Sequence, residues 1–490
     1  MKVKRLRWPI DYISQYEKMG VSCRCRCRYT KICRLWQEKK YMQLFSLVLL
    51  VLLFADAEGA AGDSASTIRS FAEQKSPLVD IRKKPVLNFT LSDGDEVGCI
   101  PIETQLSSGN STIPIQLRPS SRVKRGNSTA CRRGALRAEQ TFKVEVGSCP
   151  NGTIPVRRTR DIFNLTSIFF QTRNVKDNND LLKQSTLRNQ FHRRKKNGPP
   201  GFFQPSESNS STDDQGSPHE HAFVNVNKTE GPFRGMEVIL NIWEPYVEDP
   251  EEFSLAQFWL ISGSYSGNLS TNTKNYSTIL NTIEAGWQVF EGLYGDNRSR
   301  LFLFWTADAY NDTGCYNLYC SGFVQTSDKV VVGGSFTPVS KVNSSQYEIE
   351  LLVFRDEQSG NWWLMLNDEP VGYWPSHIFT GKLRDSAEYM EFGGEIINSK
   401  AGEKRRHTRT NMGSGYYPEA GDRVAAYQRN LQIVNENNQL RDAPISLGRA
   451  EQPACYNARI STDVPEWESH FFYGGNGHSK RCRHNITTAQ

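Results

Sequence analysis

Two glutamates carry the clearest chemical signal in this chain of 490 residues: Glu284, within the segment IEAGW, and Glu395, within the segment FGGEI. Each stands among apolar neighbours in a strand-like stretch, where alternation aims its carboxylate at a polar face. Two carboxyls near one scissile bond can divide the work, because a protonated one polarises the carbonyl while an ionised one takes a proton from water. Mutual repulsion and partial burial separate the pKa values of such a pair, which predicts hydrolysis at acidic pH without a covalent intermediate.

The alternation of the strands leaves part of this assignment open. Glu284 shares its face with Gly286 and Gln288, and the missing side chain at Gly286 leaves room for a peptide to approach. Around the second site, Glu391 and Glu395 share one face, so periodicity does not separate them. The pattern is also compatible with solvated charges on outward faces, and it does not say which glutamate is the acid.

Short segments with period-2 alternation are expected to position these carboxylates. They follow residue 219 and include 236–242, 253–261 and 347–353, with Gly, Asn and Asp turns between them. The segment 301–305 is apolar on both faces, which predicts a strand that is covered on both sides. With 38% hydrophobic residues available for a core, the expected fold class is all-β, an antiparallel β-sandwich catalytic domain preceded by a basic prosegment.

Charge divides the chain into two unlike parts. Residues 1–210 carry a net charge of +18 and residues 211–490 one of −12, which sum to the net +6. The basic part is rich in Ser, Asn and Pro and has no nucleic-acid-binding signature, which argues against nucleic acid as a partner. We interpret residues 58–210 as an activation peptide with a linker, and 211–490 as the catalytic domain. Electrostatic attraction between them would make the prosegment the inhibitor of its own chain.

The N-terminus has the features of a secretory signal. Lys39 and Lys40 precede the apolar run 44–55, which small residues follow. The run is about 12 residues long, whereas a membrane-spanning helix needs about 20. We predict a signal peptide over 41–57 and regard 1–40 as a doubtful N-terminal extension, because Met42 would open an ordinary signal peptide. The protein is expected to be secreted, without a stable membrane span.

Glycosylation sequences are abundant behind this signal, as in a heavily glycosylated secreted protein. The thirteen Asn-x-Ser/Thr sites are Asn88, Asn110, Asn127, Asn151, Asn164, Asn209, Asn227, Asn268, Asn275, Asn297, Asn311, Asn343 and Asn485.

Seven cysteines follow the signal, and in an oxidising compartment they are expected to form disulfide bonds. The pairings considered are Cys99–Cys149, Cys315–Cys320 and Cys455–Cys482, which leave Cys131 without a partner. Sequence alone does not determine this connectivity.

Other chemistries have weaker signals. His219, Glu220 and His221 lack the i,i+4 histidine spacing of a zinc helix, so no metal or other cofactor is expected. Adjacent tryptophans at 362–363 and Trp374 could stack on sugars, although a role in the core is favoured. Two other functions remain open: a glycosidase, since carboxylate pairs also cut sugars, and a non-catalytic wall- or glycan-binding module with vestigial glutamates.

Many segments of the chain resemble the neprosin family of plant secreted proteins. Those that resemble its catalytic domain are 219–222, 283–289, 292–296, 305–310, 314–325, 371–375, 393–395 and 412–415. Two upstream segments, 94–100 and 148–158, resemble the activation peptide of the family. The chain departs from the family pattern at Phe392, where tryptophan is usual, and at His221, where tyrosine is expected.

The resemblance implies a glutamic peptidase on a β-sandwich, made as a zymogen, active at acidic pH and cutting after proline in peptide or protein substrates. It also implies the apoplast or cell wall, or the vacuole, as the location of the protein. It assigns the catalytic roles to Glu284 and Glu395, with the Gly-Gly-Glu context favouring Glu395 over Glu391. For the proline ring, an aromatic wall is expected, and Trp305 and Tyr310 are the candidates for substrate binding.

Overall fold

The computed structural model describes most of the chain after residue 84, and all of it lies in one compact unit, residues 67–490. The described residues are 84–106, 114–125, 135–158, 218–226, 228–264, 279–310, 313–319, 321–401, 407–448 and 450–482. The predicted signal peptide, the extension 1–40, the proline-rich linker, Cys131 and Cys320 lie outside these residues.

Strands dominate the described part of the chain. In chain order they are β1 (Leu87–Thr90), β2 (Glu96–Pro101), β3 (Leu136–Arg137), β4 (Glu139–Gln140), β5 (Thr153–Arg157), β6 (His219–Val226), β7 (Gly235–Asn241), β8 (Ser254–Ser262), β9 (Asn281–Val289), β10 (Arg300–Thr306), β11 (Cys315–Tyr316), β12 (Val324–Gln325), β13 (Phe336–Thr337), β14 (Tyr347–Arg355), β15 (Trp362–Leu366), β16 (Glu369–Trp374), β17 (Tyr389–Ile397), β18 (Ala426–Val434), β19 (Leu440–Asp442), β20 (Ser446–Leu447), β21 (Asn457–Ile460) and β22 (Phe471–Gly474).

Helices are short within the same residues. The α-helices are α1 (Thr141–Glu145) and α2 (Glu291–Tyr294), and the 3-10 turns are Ile102–Leu106, Lys228–Glu230, Ser376–Ile378, Gly381–Arg384, Pro418–Ala420 and Pro465–Trp467. None of the described helices has the length and apolar character needed to cross a membrane.

Two large sheets contain most of the strands. The seven-stranded sheet has the order β11-β10-β9-β8-β17-β6-β20. The ten-stranded sheet follows the path β12-β16-β15-β14-β7-β18-β22-β21, with β19 added beside β18 and β3 beside β14. Every strand pair in both sheets is antiparallel except that of β3 with β14.

The core lies between these sheets. Ile283, Ala285 and Trp287 of β9 belong to the same buried cluster as Val238 of β7 and Leu351 of β14. Because each large sheet contributes one apolar face to a common core, the fold is a β-sandwich, and the predicted all-β class is confirmed. Trp362, Trp363 and Trp374 are fully buried, so they fill the core rather than offer a surface for sugars.

The seven-stranded sheet is apolar on its other face as well. Phe302 and Phe304 of β10 pack there with Tyr310, Tyr316 and other aromatic side chains in a second buried cluster. Leu301 and Leu303 face the core between the sheets. The expectation that this strand is covered on both sides is thereby confirmed.

Residues 84–158 build on this sandwich. β1, β2 and β5 form a three-stranded sheet, while β3 joins the large sheet at β14 and β4 pairs with β13. Ile100, Ile154 and Val156 enter the core between the sheets. Within the described residues, the predicted prosegment therefore shares its hydrophobic core with the predicted catalytic domain.

Buried charges also join the two parts. Asp95 accepts hydrogen bonds from Arg157 Nε at 2.7 Å and from Arg300 NH1 at 2.7 Å. Burial alone disfavours a charged guanidinium, but hydrogen bonds and charges from Asp296 and Asp95 outweigh this effect and raise the pKa of Arg300. Farther along, Ser120 and Ser121 donate to Asp356.

Two disulfide bonds are present among the described residues, Cys99–Cys149 and Cys455–Cys482, as the sequence favoured. Cys315 is also disulfide-bonded. Four of the thirteen glycosylation sites fall within the described residues, and all four are exposed: Asn88, Asn151, Asn297 and Asn343.

Candidate active site

Strand register brings the two glutamates to one face of the seven-stranded sheet. β8 lies between β9 and β17, and Glu284 stands opposite Trp259 while Glu395 stands opposite Leu255. Paired residues of antiparallel strands point to the same side, so both carboxylates project from the face away from the inter-sheet core. The two positions differ by four residues along β8, and Gln257 is midway between them.

The diagonal between the two glutamates is long. In a flat sheet, two strand spacings and four residues along a strand put their Cα atoms on a diagonal of about 16 Å. A substrate or water that contacts both carboxylates must therefore lie over β8, where Gln257 projects.

Hydroxyl groups surround Glu284. Tyr310 Oη donates to Glu284 Oε1 at 2.7 Å, and Thr282 Oγ1 donates to the same oxygen at 2.9 Å. Tyr310 is held in the left-handed backbone region with φ of 58°, beside Ala309 with φ of 57°. This conformation is strained for residues other than glycine and clusters at functional sites. The loop is closed by Asp308, which accepts from the backbone N–H of Thr313 at 2.9 Å.

Nitrogen groups surround Glu395. His219 Nδ1 lies 2.5 Å from Glu395 Oε1, and Gln257 Nε2 donates to Oε2 at 3.0 Å. The Nε2 atom of His221 lies 3.8 Å from Oε1, and its Nδ1 atom lies 3.0 Å from Glu451. Glu395 and both imidazoles are almost fully buried. The Glu395 carboxylate therefore has two imidazoles and one amide donor among its neighbours.

Two glycines flank Gln257 on the neighbouring strands. Gly286 and Gly393 are its cross-strand neighbours on β9 and β17. A Cβ at Gly286 would lie 1.9 Å from the carbonyl oxygen of Ala256, and one at Gly393 would lie 2.4 Å from that of Ala222. Close approach of the neighbouring backbone therefore excludes a side chain at both positions, which explains the glycines of the segments IEAGW and FGGEI.

Glu391 projects from the same face, because it stands opposite Trp259 just as Glu284 does. Its surroundings differ from those of Glu395. Burial, together with the nearby Glu451 carboxylate, raises the pKa of Glu391 well above its ordinary value. The two carboxyls of β17 that periodicity could not separate therefore have different electrostatic environments.

Replacing Glu391 with glutamine is expected to change how stability depends on pH. Because the pKa of Glu391 is raised in the folded state, the free energy of unfolding falls as pH rises above the unfolded value. Glu391→Gln removes this contribution, so its stability relative to wild type should increase between pH 4 and pH 7 by on the order of 1 kcal/mol. Urea unfolding of both proteins at each pH measures the difference. The prediction is contradicted if the variant and wild type differ in free energy of unfolding by the same amount at both pH values. Glu357→Gln is the control, because Glu357 is exposed.

The two aromatic candidates for substrate binding have different positions. Trp305 pairs with Ile283 and packs in the core between the sheets, on the opposite face from Glu284. Its indole contacts the ring of Phe379 with centroids 6.0 Å apart. The substrate-binding role expected for Trp305 is not supported by this position, because the sheet separates it from the carboxylates. Tyr310 lies on the face of Glu284, where its hydroxyl is a direct neighbour.

Sequence reasoning did not identify three neighbours of the carboxylates: His219, Gln257 and Thr282. A signal existed for Gln257, which is the one polar residue on the strand face that it shares with Phe253, Leu255, Trp259 and Ile261. Thr282 lies two residues before Glu284, on the same strand face. His219 had been considered only as a metal ligand.

One group of potential metal ligands occurs among the described residues: His407, Cys455 and Cys482. The two cysteines are joined in a disulfide bond, so their sulfurs are not thiolate ligands. His407 instead lies beside Glu220, with Nε2 at 3.0 Å from Oε2.

Three solved structures show a weak similarity to part of this chain. Scytalido-glutamic peptidase with a peptide-based transition-state analogue is 8% identical, with a TM-score of 0.28 over 53% of this chain and 97% of that chain. SCP-B, a member of the Eqolisin family of peptidases in complex with the tripeptide Ala-Ile-His, is 8% identical, with a TM-score of 0.27 over 53% and 97%. An alginate lyase Aly36B mutant with alginate trisaccharide is 8% identical, with a TM-score of 0.16 over 52% and 70%. Similarities this low carry no information about activity.

The sequence match to a protein family is more informative. The Neprosin family model matches residues 250–476. This range contains both candidate glutamates and the three strands β8, β9 and β17 that position them. Residues 250–476 of this chain therefore belong to the neprosin family.

Proposed function

We propose that this protein is a glutamic endopeptidase in which Glu284 and Glu395 activate water for peptide hydrolysis. Membership of the neprosin family supports a peptide hydrolase of the glutamic type. The observation that carries the proposal is the convergence of both glutamates on one face of the sheet, each buried and each held by hydrogen bonds. Peptide bonds are the proposed substrate, rather than glycosidic ones.

Different surroundings favour different roles for the two carboxyls. Glu395 lies beside two imidazoles and an amide donor, which stabilise a carboxylate anion. Glu284 has neutral hydroxyl neighbours, and both of these donate to Oε1. In our proposal, Glu395 is the base that takes the proton of the attacking water. Glu284 is the acid that polarises the carbonyl and then protonates the leaving nitrogen.

Cleavage after proline and an acidic working pH are further parts of the proposal. The aromatic side chains near Glu284 support a preference for proline, because the pyrrolidine ring packs well on aromatic faces. Phe304 and Tyr310 lie there with ring centroids 5.8 Å apart. An acidic optimum follows from the need for one protonated carboxyl.

We further propose that the enzyme is made as a zymogen, with residues 58–210 as the inhibitory prosegment. Packing of residues 84–158 on the sandwich, through Asp95 and Arg300, supports a segment that folds together with the enzyme. Activation would follow self-cleavage in the linker, after Pro199, Pro200, Pro205 or Pro218. Cysteine pairing and exposed glycosylation sites support a secreted protein.

Peptide cleavage by the acid-treated, secreted protein tests the function. A proteome-derived peptide mixture is incubated with it from pH 3 to pH 7, and mass spectrometry identifies the new termini. The expected result is scission after proline that is strongest at acidic pH. Scission without preference for proline would contradict only the specificity. Hydrolysis of oligosaccharides instead of peptides would indicate a glycosidase, and no hydrolysis of either would indicate a binding module.

A further inference from the structure

Gln257 occupies the centre of the candidate site, although nothing in the sequence motifs assigns it a role. It projects from β8 at the midpoint of the diagonal between Glu284 and Glu395. The side chain is fully buried, and Nε2 donates to Glu395 Oε2 at 3.0 Å. This hydrogen bond orients the amide, because a carboxylate accepts and does not donate when ionised.

The other end of the amide has unused hydrogen-bonding capacity. Gln257 Oε1 is buried and has no hydrogen-bond partner in the described part of the chain. Leaving a buried amide oxygen without a partner is costly, and such atoms are uncommon in folded proteins. An unpartnered acceptor at this position is therefore a reason to expect that a ligand or a reacting water donates to it.

No cross-strand neighbour places a side chain beside the amide. The neighbours of Gln257 are Gly286 and Gly393, and neither backbone position would accommodate a Cβ. The glutamine is thus the one side chain of this cross-strand triplet. A substrate that contacts both carboxylates would lie over this triplet and therefore over the amide.

We propose that Gln257 is a positioning residue that aligns Glu395 through Nε2–H and accepts a hydrogen bond from the attacking water through Oε1. This inference rests on the proposed function and extends it. The water oxygen forms a bond to the carbonyl carbon, and its proton passes to Glu395. When the C–N bond breaks, the proton of Glu284 passes to the leaving nitrogen. A proton then moves from Glu395 to Glu284, directly or through solvent, and restores the starting state.

The amide is suited to this task because it combines a donor and an acceptor in one rigid plane. A glutamate at the same position would offer only acceptors when ionised and would repel Glu395. Methionine would fill a similar volume with neither function. The methionine replacement therefore separates the contribution of shape from that of hydrogen bonding.

Titratable groups around Glu395 must be distinguished from Gln257 in the test. Those that face it are His219 and His221 from β6, with Glu391 on its own strand and Glu451 beyond His221. All four remain in place when only residue 257 is changed. A shift of the pH profile in a Gln257 variant then reports on the hydrogen bond to Glu395.

The test compares Gln257→Met, Gln257→Asn and wild type on one peptide substrate. We expect kcat for Gln257→Met to fall by about 10²-fold, as on loss of one preorganised hydrogen-bonding group, with KM changed less than threefold. The acidic limb of its kcat–pH profile should also move to higher pH, because ionised Glu395 loses the hydrogen bond that Gln257 Nε2–H donates. Gln257→Asn keeps the amide but shortens its reach, so an intermediate kcat is expected and guards against misfolding of the methionine variant.

Matched controls make the outcomes distinguishable. Gln432→Met changes a glutamine of β18 in the other sheet, and its kcat should equal that of wild type. A folded Gln257→Met protein with wild-type kcat and pH profile would overturn the inference. A higher KM with an unchanged kcat would also overturn it. If such a result is obtained while Glu284→Gln and Glu395→Gln are inactive in the same assay, the inference about Gln257 fails but the proposed function stands. Full activity of those two variants, or an inactive wild type, would overturn the proposed function together with this inference.

Discussion

Substitution of either Glu284 or Glu395 by glutamine is expected to reduce kcat for peptide hydrolysis by about 10³- to 10⁴-fold. Glutamine has nearly the shape of glutamate and keeps one acceptor oxygen, but it neither takes a proton from water nor delivers one to the leaving nitrogen. KM should change little, because glutamine keeps nearly the same volume and the pairing of β8 with β9 and β17 is untouched. Steady-state kinetics from pH 3 to pH 7, on protein matured by an added protease, measures the loss.

The double variant makes this prediction more specific. Two groups that act in one proton-transfer sequence give non-additive losses. We therefore expect the kcat of the double variant to be close to that of the less active single variant. It should not fall by the product of the two single-variant factors.

A matched control comes from the same strand. Glu391→Gln makes the identical chemical change four residues before Glu395, on the same face of β17, and should keep kcat within threefold of wild type. Loss of activity in Glu391→Gln with retention in Glu395→Gln would contradict our assignment and transfer the role to Glu391. Thermal unfolding of each variant confirms that the proteins compared are folded.

Replacing Asp95 with asparagine is expected to lower the free energy of unfolding of the full-length chain by about 3–5 kcal/mol. Asp95 is almost fully buried and accepts hydrogen bonds from two guanidinium groups, those of Arg157 and Arg300. Asparagine removes the negative charge while leaving both cations buried. Asp296 then remains as the acidic partner of Arg300, which is insufficient for two guanidiniums.

The measurement uses the Glu284→Gln background, so that self-cleavage does not complicate urea unfolding. Asp463→Asn is the control, since Asp463 forms an exposed ion pair with Arg459 at 2.9 Å, and exposed pairs contribute little. A result for Asp95→Asn that equals the control would show that this contact does not anchor residues 84–158. A large loss would support the view that the predicted prosegment and catalytic domain unfold as one unit.

The two sheets illustrate what period-2 patterning predicts well. Every second residue of 236–242 and of 347–353, beginning with the first, is apolar, and the structure places these side chains in one core between the sheets. The segment 301–305, apolar at every position, is covered on both faces. Alternation is a local property of a strand, so neighbouring residues alone determine which side chains share a face.

Trp305 shows where this local information ends. The sequence shows that Trp305 shares a strand face with Leu301 and Leu303, because the three are alternate residues. It does not show whether Glu284 of the neighbouring strand projects from that face. The pairing of Phe304 with Glu284 puts Trp305 on the opposite side. That register depends on the turn between β9 and β10 and on packing, and a shift of one residue would reverse it.

The sequence by itself determined the two family glutamates, the all-β class and the faces of individual strands, because motifs and alternation depend on residues close together in the chain. Only the tertiary structure decided that Gln257, His219 and Tyr310 meet these glutamates, and that Glu391 and Glu395 differ in their surroundings. His219 and Glu395 are separated by 176 positions in the chain. Their contact arises from the antiparallel pairing of β6 with β17, and hydrogen bonding and burial at that distance are properties of the assembled sheet.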